Sequence, residues 1–341
     1  MAAPYQNYAT GTFLSDLVTR PEFLSYLMQE VYESSAFVQS GIISRNPALD
    51  ARAGATRVTV PFFLPLTGNT EEVIKSTDDW GASEAGYLTP HKITGDEQVM
   101  TILHRGNAYA ADDLSKLGTG TDPMGAIRSY LAADLNKKRT ATLLAQLSGV
   151  FTTALSDNVV DNGTTFISAP MVIAAKAKLG ERGESLDSIA MHPNQAYYLQ
   201  QLGMLTFSSP ALTSGDAISW GAGGIGVTNT QVGYFAGLRV IVDSQLPFGS
   251  YEYTSYLFAS GAVSEGVQQE MRIEQDRNIL SKQDIISLDY HYGFHINGVS
   301  YTGTDNPTNA GLATAGNWSL VYDPRLTPVV KLISGTALDP D

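Results

Sequence analysis

Residues 54–105 constrain this chain more than any other stretch, because they read as two strands joined by a long irregular connection. Thr56, Val58, Val60, Phe62 and Leu64 alternate with Arg57, Thr59, Phe63 and the prolines Pro61 and Pro65. That is the period-two pattern of a half-buried strand carrying edge-type prolines. A second strand is expected over residues 97–105. Between the two lie Gly68-Asn69, Glu71-Glu72 and Asp78-Asp79-Trp80-Gly81, then polar chain up to Pro90. A connection of this length inside a compact domain is uncommon and usually functional. Ordering it costs about 1–2 kcal/mol per backbone residue, and burial against a neighbour offsets this at about 25 cal/mol per Å². An extended hairpin lying on a second copy of the chain would meet that cost. The candidates for burial between subunits are Arg57, Phe62, Phe63, Leu64, Trp80 and Tyr87; the alternative is that the rings fold back on their own subunit.

The 341 residues are 43 % hydrophobic, which suffices for a sizeable core and more than one lobe. The N-terminal residues have neither a basic start nor an apolar centre, and no apolar run is long enough to cross a membrane, so neither secretion nor membrane insertion is expected. With no cysteine, disulfides, thiolate metal sites and cysteine nucleophiles are excluded. A net charge of −13 opposes broad attachment to phosphate backbones, and sequence-specific DNA reading is not expected.

Several blocks follow in order. Residues 1–53 form an arm with one helix expected over 21–39. Pro21 opens this helix, Leu24, Leu27, Met28 and Val31 give it an apolar stripe, and Gly41 ends it. After the hairpin, a short helical stretch over 111–117 leads to the best helix of the chain, over 123–148. Asp122 is its expected cap, Pro123 its first turn and Gly149 its stop, giving a strut about 39 Å long. Residues 169–265 alternate helices and strands, as in an α/β lobe: helices over 170–179 and 193–202, strands over 186–191, 237–246 and 256–259. Strand-like segments return over 271–301, and a last apolar strand is expected over 329–333.

Catalytic signatures are weak. Gly221, Gly223 and Gly226 have the spacing of a dinucleotide fingerprint, with Asp243 where a ribose-binding acid could sit. The residues that follow are turn-rich rather than helical, so the expected reading is a glycine loop. His291 and His295 have the spacing of two helical ligands, yet Tyr290, Tyr292 and Phe294 favour a strand, on which they would stand about 13 Å apart. The pairs Glu71-Glu72, Asp78-Asp79 and Asp112-Asp113 read as solvated charges. No catalytic, metal or cofactor site is expected.

The block order resembles that of the major capsid proteins of tailed bacteriophages, an α+β architecture known as the Hong Kong 97-type capsid fold. Local phrases carry it: the strand-turn-helix of residues 186–202 through Met191-His192-Pro193; Gly237-Leu-Arg-Val-Ile-Val-Asp243 running to Leu246-Pro247; Asp276-Arg277 ahead of Tyr292-Gly293 and Asn297-Gly298-Val299; and Asn306-Pro307-Thr308-Asn309. The resemblance implies an N-terminal arm (1–53), an extended loop (54–105), a peripheral domain with the long spine helix (106–168), an axial domain (169–265), and returning peripheral strands with a C-terminal segment (266–341). It implies a structural protein and not an enzyme. Homo-oligomeric pentamers and hexamers would build an icosahedral shell around double-stranded DNA. Portal, scaffolding and cement proteins would be partners, with assembly in the host cytoplasm and residence in the virion.

Arg128, Lys137, Lys138 and Arg139 make the spine helix locally basic against Asp134. Either it faces packaged DNA non-specifically, or its charges are balanced by neighbours. Some relatives cross-link a loop lysine to an asparagine; Lys75 and Lys92 are available, but nothing selects either, and no cross-link is expected. Two other readings stay open: a bacterial encapsulin shell, which shares the fold, and an α/β enzyme binding a nucleotide through the Gly221–Gly226 loop.

Overall fold

The computed structural model describes residues 41–50, 54–64, 66, 91–112, 123–207, 233–249, 251–280 and 283–336. The helix expected over 21–39, Trp80, Tyr87 and the Gly221–Gly226 loop lie outside them.

Along the chain, β1 (Ile43–Arg45) precedes the hairpin strands β2 (Arg57–Phe63) and β3 (Gly95–Thr101), and then come β4 (Leu103–Asp112) and α1 (Pro123–Thr152). Next come β5 (Val159–Phe166), α2 (Ala169–Ala177), β6 (Leu186–Met191), α3 (Pro193–Gln201), β7 (Thr206–Phe207), β8 (Gly233–Phe235) and β9 (Leu238–Val242). The remainder is β10 (Phe248–Gly249), β11 (Glu252–Ala259), β12 (Val263–Asn278), β13 (Gln283–Ile296), β14 (Val299–Tyr301), α4 (Asn309–Ala313), β15 (Trp318–Leu320) and β16 (Val329–Gly335).

Two large sheets organise these elements. A four-stranded sheet runs β1-β12-β13-β4, and the other runs β5-β16-β11-β6-β9-β8-β7, with β10 added to β11. The second sheet is mixed, since β6 pairs with β9 and β16 with β5 in parallel while β11 is antiparallel to both neighbours. Its strands come from both sides of residues 169–265, because β5 and β16 join it.

Helix α1 ties the two sheets together. Leu131 and Leu135 pack on Leu288 of the four-stranded sheet, whereas Leu143, Leu144, Leu147, Val150 and Phe151 enter the main core beside Tyr256, Phe258 and Phe294. At 30 residues it is about 45 Å long. It runs through Gly149, where a stop was expected. A Cβ at Gly149 would lie 2.2 Å from the Leu312 carbonyl oxygen and 2.7 Å from Trp318 Nε1. The glycine therefore serves close packing of α4 and Trp318 against the helix rather than termination.

Two further expectations are corrected. Residues 97–105 do not form one strand: β3 pairs with β2 and β4 pairs with β13, and the chain changes sheets at the fully buried Ile102. Ala111 does not start a helix, because it is the Cα partner of Asp284 in the β4–β13 ladder.

Candidate assembly surfaces

The hairpin base is fixed from both sides. Gln98 of β3, 1 % exposed, sits at the centre of a small polar cluster. Its Oε1 accepts from Gly298 N at 2.9 Å and from His295 Nε2 at 3.0 Å, and its Nε2 donates to the Tyr322 hydroxyl. The shared acceptor places the His295 proton on Nε2, and burial pushes the ring's pKa down to about 4. Val99 N donates to Ser300 Oγ at 3.0 Å. On β2, Arg57 Nε donates to Asp305 Oδ1 at 2.6 Å and Thr56 Oγ1 to Asp305 Oδ2 at 3.0 Å. These bonds hold the Asp305 carboxyl below its usual range.

The same C-terminal segment reaches β4, where Asn306 Oδ1 accepts from His104 N at 3.0 Å and Arg105 Nη2 donates to the Pro307 carbonyl. Asn306 has φ +46°, a left-handed conformation that asparagine tolerates better than most residues. The Asn306-Pro307 phrase thus anchors the hairpin's exit strand.

The hairpin's apolar residues divide. Phe62 stands edge-on to Tyr322 of the same chain, with ring centroids 4.6 Å apart. Phe63, its neighbour on the opposite face, is 75 % exposed, and Leu66 is also exposed. Leu64 is half-buried, its N bonded to the Thr94 carbonyl. Other exposed apolar side chains were not anticipated from the sequence. Ile279 and Leu280, the latter 95 % exposed, sit at the turn joining β12 to β13. Ile173, Tyr197, Leu202, Phe248 and Tyr251 are exposed on the eight-stranded lobe. Periodicity located α2 and α3 but marks a buried and an unpartnered apolar position alike, so it carried no signal for these.

The basic residues of α1 also divide. Lys138 Nζ lies 2.6 Å from Asp134 Oδ2. Arg139 pairs with Glu265, which is 2 % exposed, and its guanidinium stands 5.4 Å over the Tyr292 ring. Burial raises the pKa of the Glu265 carboxyl and Arg139 pulls it back. Arg45 on β1 is the Cα partner of Glu265, so this site joins β1, β12 and α1. Lys137 is exposed, and the Arg128 side chain lies outside the described residues.

The histidines do not share a ligand. Both lie on β13, with His291 Nδ1 on Gln268 Oε1 at 3.1 Å and the ring stacked on His104, while His295 belongs to the Gln98 cluster. Among the described residues no group of three His, Asp or Glu is arranged to hold a metal ion. Asp243 follows β9 and its carboxyl accepts from Gln245 N.

No protein-family model matches the chain. The major capsid protein of Bacillus phage SPP1 is 32 % identical over 344 aligned residues, covering 94 % of this chain and 97 % of that protein. Among solved structures, the capsid of Ralstonia phage GP4 superposes with a TM-score of 0.53 at 10 % identity, over 100 % of this chain and 99 % of the other. The acidic stable capsid structure of Helicobacter pylori bacteriophage KHP30 gives 0.53 at 13 % identity, over 97 % and 96 %. Two-sheet architecture, strut helix, clamped hairpin and full-length likeness converge, and the chain belongs to the major capsid proteins of tailed bacteriophages, with the Hong Kong 97-type fold and a structural role.

Proposed function

We propose that copies of this chain close into an icosahedral head shell around double-stranded DNA, with the β2–β3 hairpin of each copy lying across an adjacent one. The observation that carries the contact is Phe63: a large apolar ring, 75 % exposed, at the far end of a strand whose base is rigidly held. Burying it and Leu66 against a neighbour removes apolar surface that the isolated subunit leaves wet. Leu64, Trp80 and Tyr87 extend the same contact, and Phe62 supports it from within through Tyr322.

Exposed Phe248, Tyr251 and Tyr197 meet their equivalents where lobes gather in pentamers and hexamers. Lys137 and Arg128 offer charge for non-specific contact with packaged DNA, while Lys138 and Arg139 are committed to Asp134 and Glu265. Portal, scaffolding and cement proteins complete the head, which assembles in the host cytoplasm. No catalytic step is required of the chain.

Phe63→Ser tests the reading. The variant is expected to keep the subunit's circular dichroism and thermal transition while closed particles disappear from negative-stain micrographs. Loss of folding, or shells as abundant as in the parent, would count against it.

A further inference from the structure

A β-bulge on β12 builds a small polar site beside the entry to the hairpin. Val267 is the Cα partner of Tyr292 and Gln269 of His291, so β12 takes two steps where β13 takes one, and Gln268 is the extra residue. Neighbouring residues of a regular strand point to opposite faces, and a bulge re-aims one of them. Here both glutamines reach β13 side chains. Gln268 Oε1 lies 3.1 Å from His291 Nδ1, and Gln269 Nε2 donates to Asp289 Oδ2 at 3.0 Å. Gln268 also donates from Nε2 to the Ala55 carbonyl at 2.8 Å, two residues before β2 begins. The bulge thereby ties the hairpin's entry to the His291 ring.

Both ring nitrogens of His291 face acceptors. Ala55 offers a carbonyl, which directs Gln268 Nε2 towards it and leaves Oε1 for Nδ1. On the other side, His291 Nε2 stands 3.4 Å from Asp289 Oδ1. A neutral imidazole carries one N–H, so either tautomer turns a lone pair on an oxygen, and turning the amide only moves the conflict to Ala55. The imidazolium, with two N–H donors, meets both acceptors. His104, the Cα partner on β4, stacks on the ring with centroids 4.0 Å apart, and its Nε2 is buried without a hydrogen-bond partner. One proton on the stacked pair therefore fits the site better than two.

The other charged groups around it are engaged. Arg45 pairs with Asp50 and Glu270, and Arg139 with Glu265, along the cavity that His291 adjoins. Arg105 is held by Asn306 and the Pro307 carbonyl, and Asp305 by Arg57. Burial pushes the flanking phenols of Tyr290 and Tyr292 up, so they stay neutral.

We propose that His291 is a proton-operated latch on the hairpin's entry. With the ring charged, Gln268 is held between it and the Ala55 carbonyl; loss of the ring's proton releases the amide and loosens residues 54–56. The latch is shut at lower pH and opens as pH rises through the ring's titration. It belongs to the single subunit and does not depend on the hairpin crossing a neighbour.

Unassembled subunits test it at pH 5.5 and 8.5. Hydrogen exchange of residues 54–58, corrected for its intrinsic pH dependence, is read beside ¹⁵N spectra of the histidine rings. The chain has five histidines, and His291→Gln assigns the signal. At pH 5.5 both His291 nitrogens are expected to be protonated and residues 54–58 to be about tenfold better protected than at pH 8.5, the scale of a hydrogen bond to a charged group. His295 cannot supply that gain, because burial lowers its pKa to about 4 and acidification costs it stability. Gln268→Ala is expected to leave the ring titrating while protection no longer changes. Asp289→Asn is expected to move the ring's titration and the opening to lower pH together. Protection independent of pH in the parent, or a pH dependence that persists in Gln268→Ala or His291→Gln, would overturn the latch. A His291 ring with one unprotonated nitrogen at pH 5.5 would overturn its charged form.

Discussion

Gly149 and Gln98 show how much single positions decide. A methyl group at Gly149 would collide with the Leu312 carbonyl oxygen, the acceptor of the Trp318 indole N–H at 2.7 Å. Gly149→Ala is expected to destabilise the subunit by about 2–3 kcal/mol, the scale of overpacking a tight core, read as a shift of the urea midpoint at unchanged slope. Gln98 serves three partners with one amide, so Gln98→Ala leaves Gly298 N and His295 Nε2 buried without an acceptor. The expected loss is about 2–3 kcal/mol.

His295 adds a pH term. Its folded pKa is about 4 against an ordinary 6.5, so as pH falls the unfolded chain takes up the proton first. Stability is complete above pH 6.5 and declines as pH falls towards 4, by about 3 kcal/mol for this group. His295→Gln should flatten the stability profile in that window; a profile as steep as the parent's would assign the slope to other groups.

Elements differ in how plainly the sequence announced them. The alternation around Val58 and Val60 placed β2, and Leu186–Met191 is a strand with the expected ends, because both carry a short-range pattern that packing reinforces. Gly180, expected to stop a helix over 170–179, instead opens a short 3-10 helix over 180–185 with φ +59°, after α2 has already ended at Ala177. Gly149 reads as a stop as well, and only the approach of Leu312 and Trp318, 163 and 169 positions downstream, reveals it as a packing notch within α1. The break at Ile102 was equally invisible: apolar alternation continues across it while the pairing partner changes from β2 to β13. At the candidate contacts, sequence alone offered Phe62 and Phe63 as equals. The clamp at Asp305 and the ring of Tyr322, both more than two hundred residues away, divide them.

The clamp itself predicts a mobility change rather than a large stability change. Arg57 and Asp305 are both substantially exposed, so solvent screening leaves the pair little weight in overall stability. Arg57→Ala should leave the unfolding midpoint almost unchanged while accelerating hydrogen exchange at β2 and β3 amides relative to β13. Uniform exchange rates would show that the Gln98 cluster alone holds the hairpin.

At the scale of the whole molecule, α1 spans both sheets, and its buried leucines divide between two clusters, so the sheets should unfold together. A single transition with coincident fluorescence and circular dichroism signals is expected, and two separated transitions would show that the sheets fail independently.

The position of β16 has a consequence for biosynthesis. Residues 329–335 lie between β5 and β11, and among the described residues β5 has no other strand partner in its sheet. A nascent polypeptide emerging from the ribosome therefore carries an unfilled slot in this lobe until residues 329–335 have been translated. Fragments released early would lack the strand that seals the slot, and such unfinished copies would be kept out of the lattice without any separate proofreading factor.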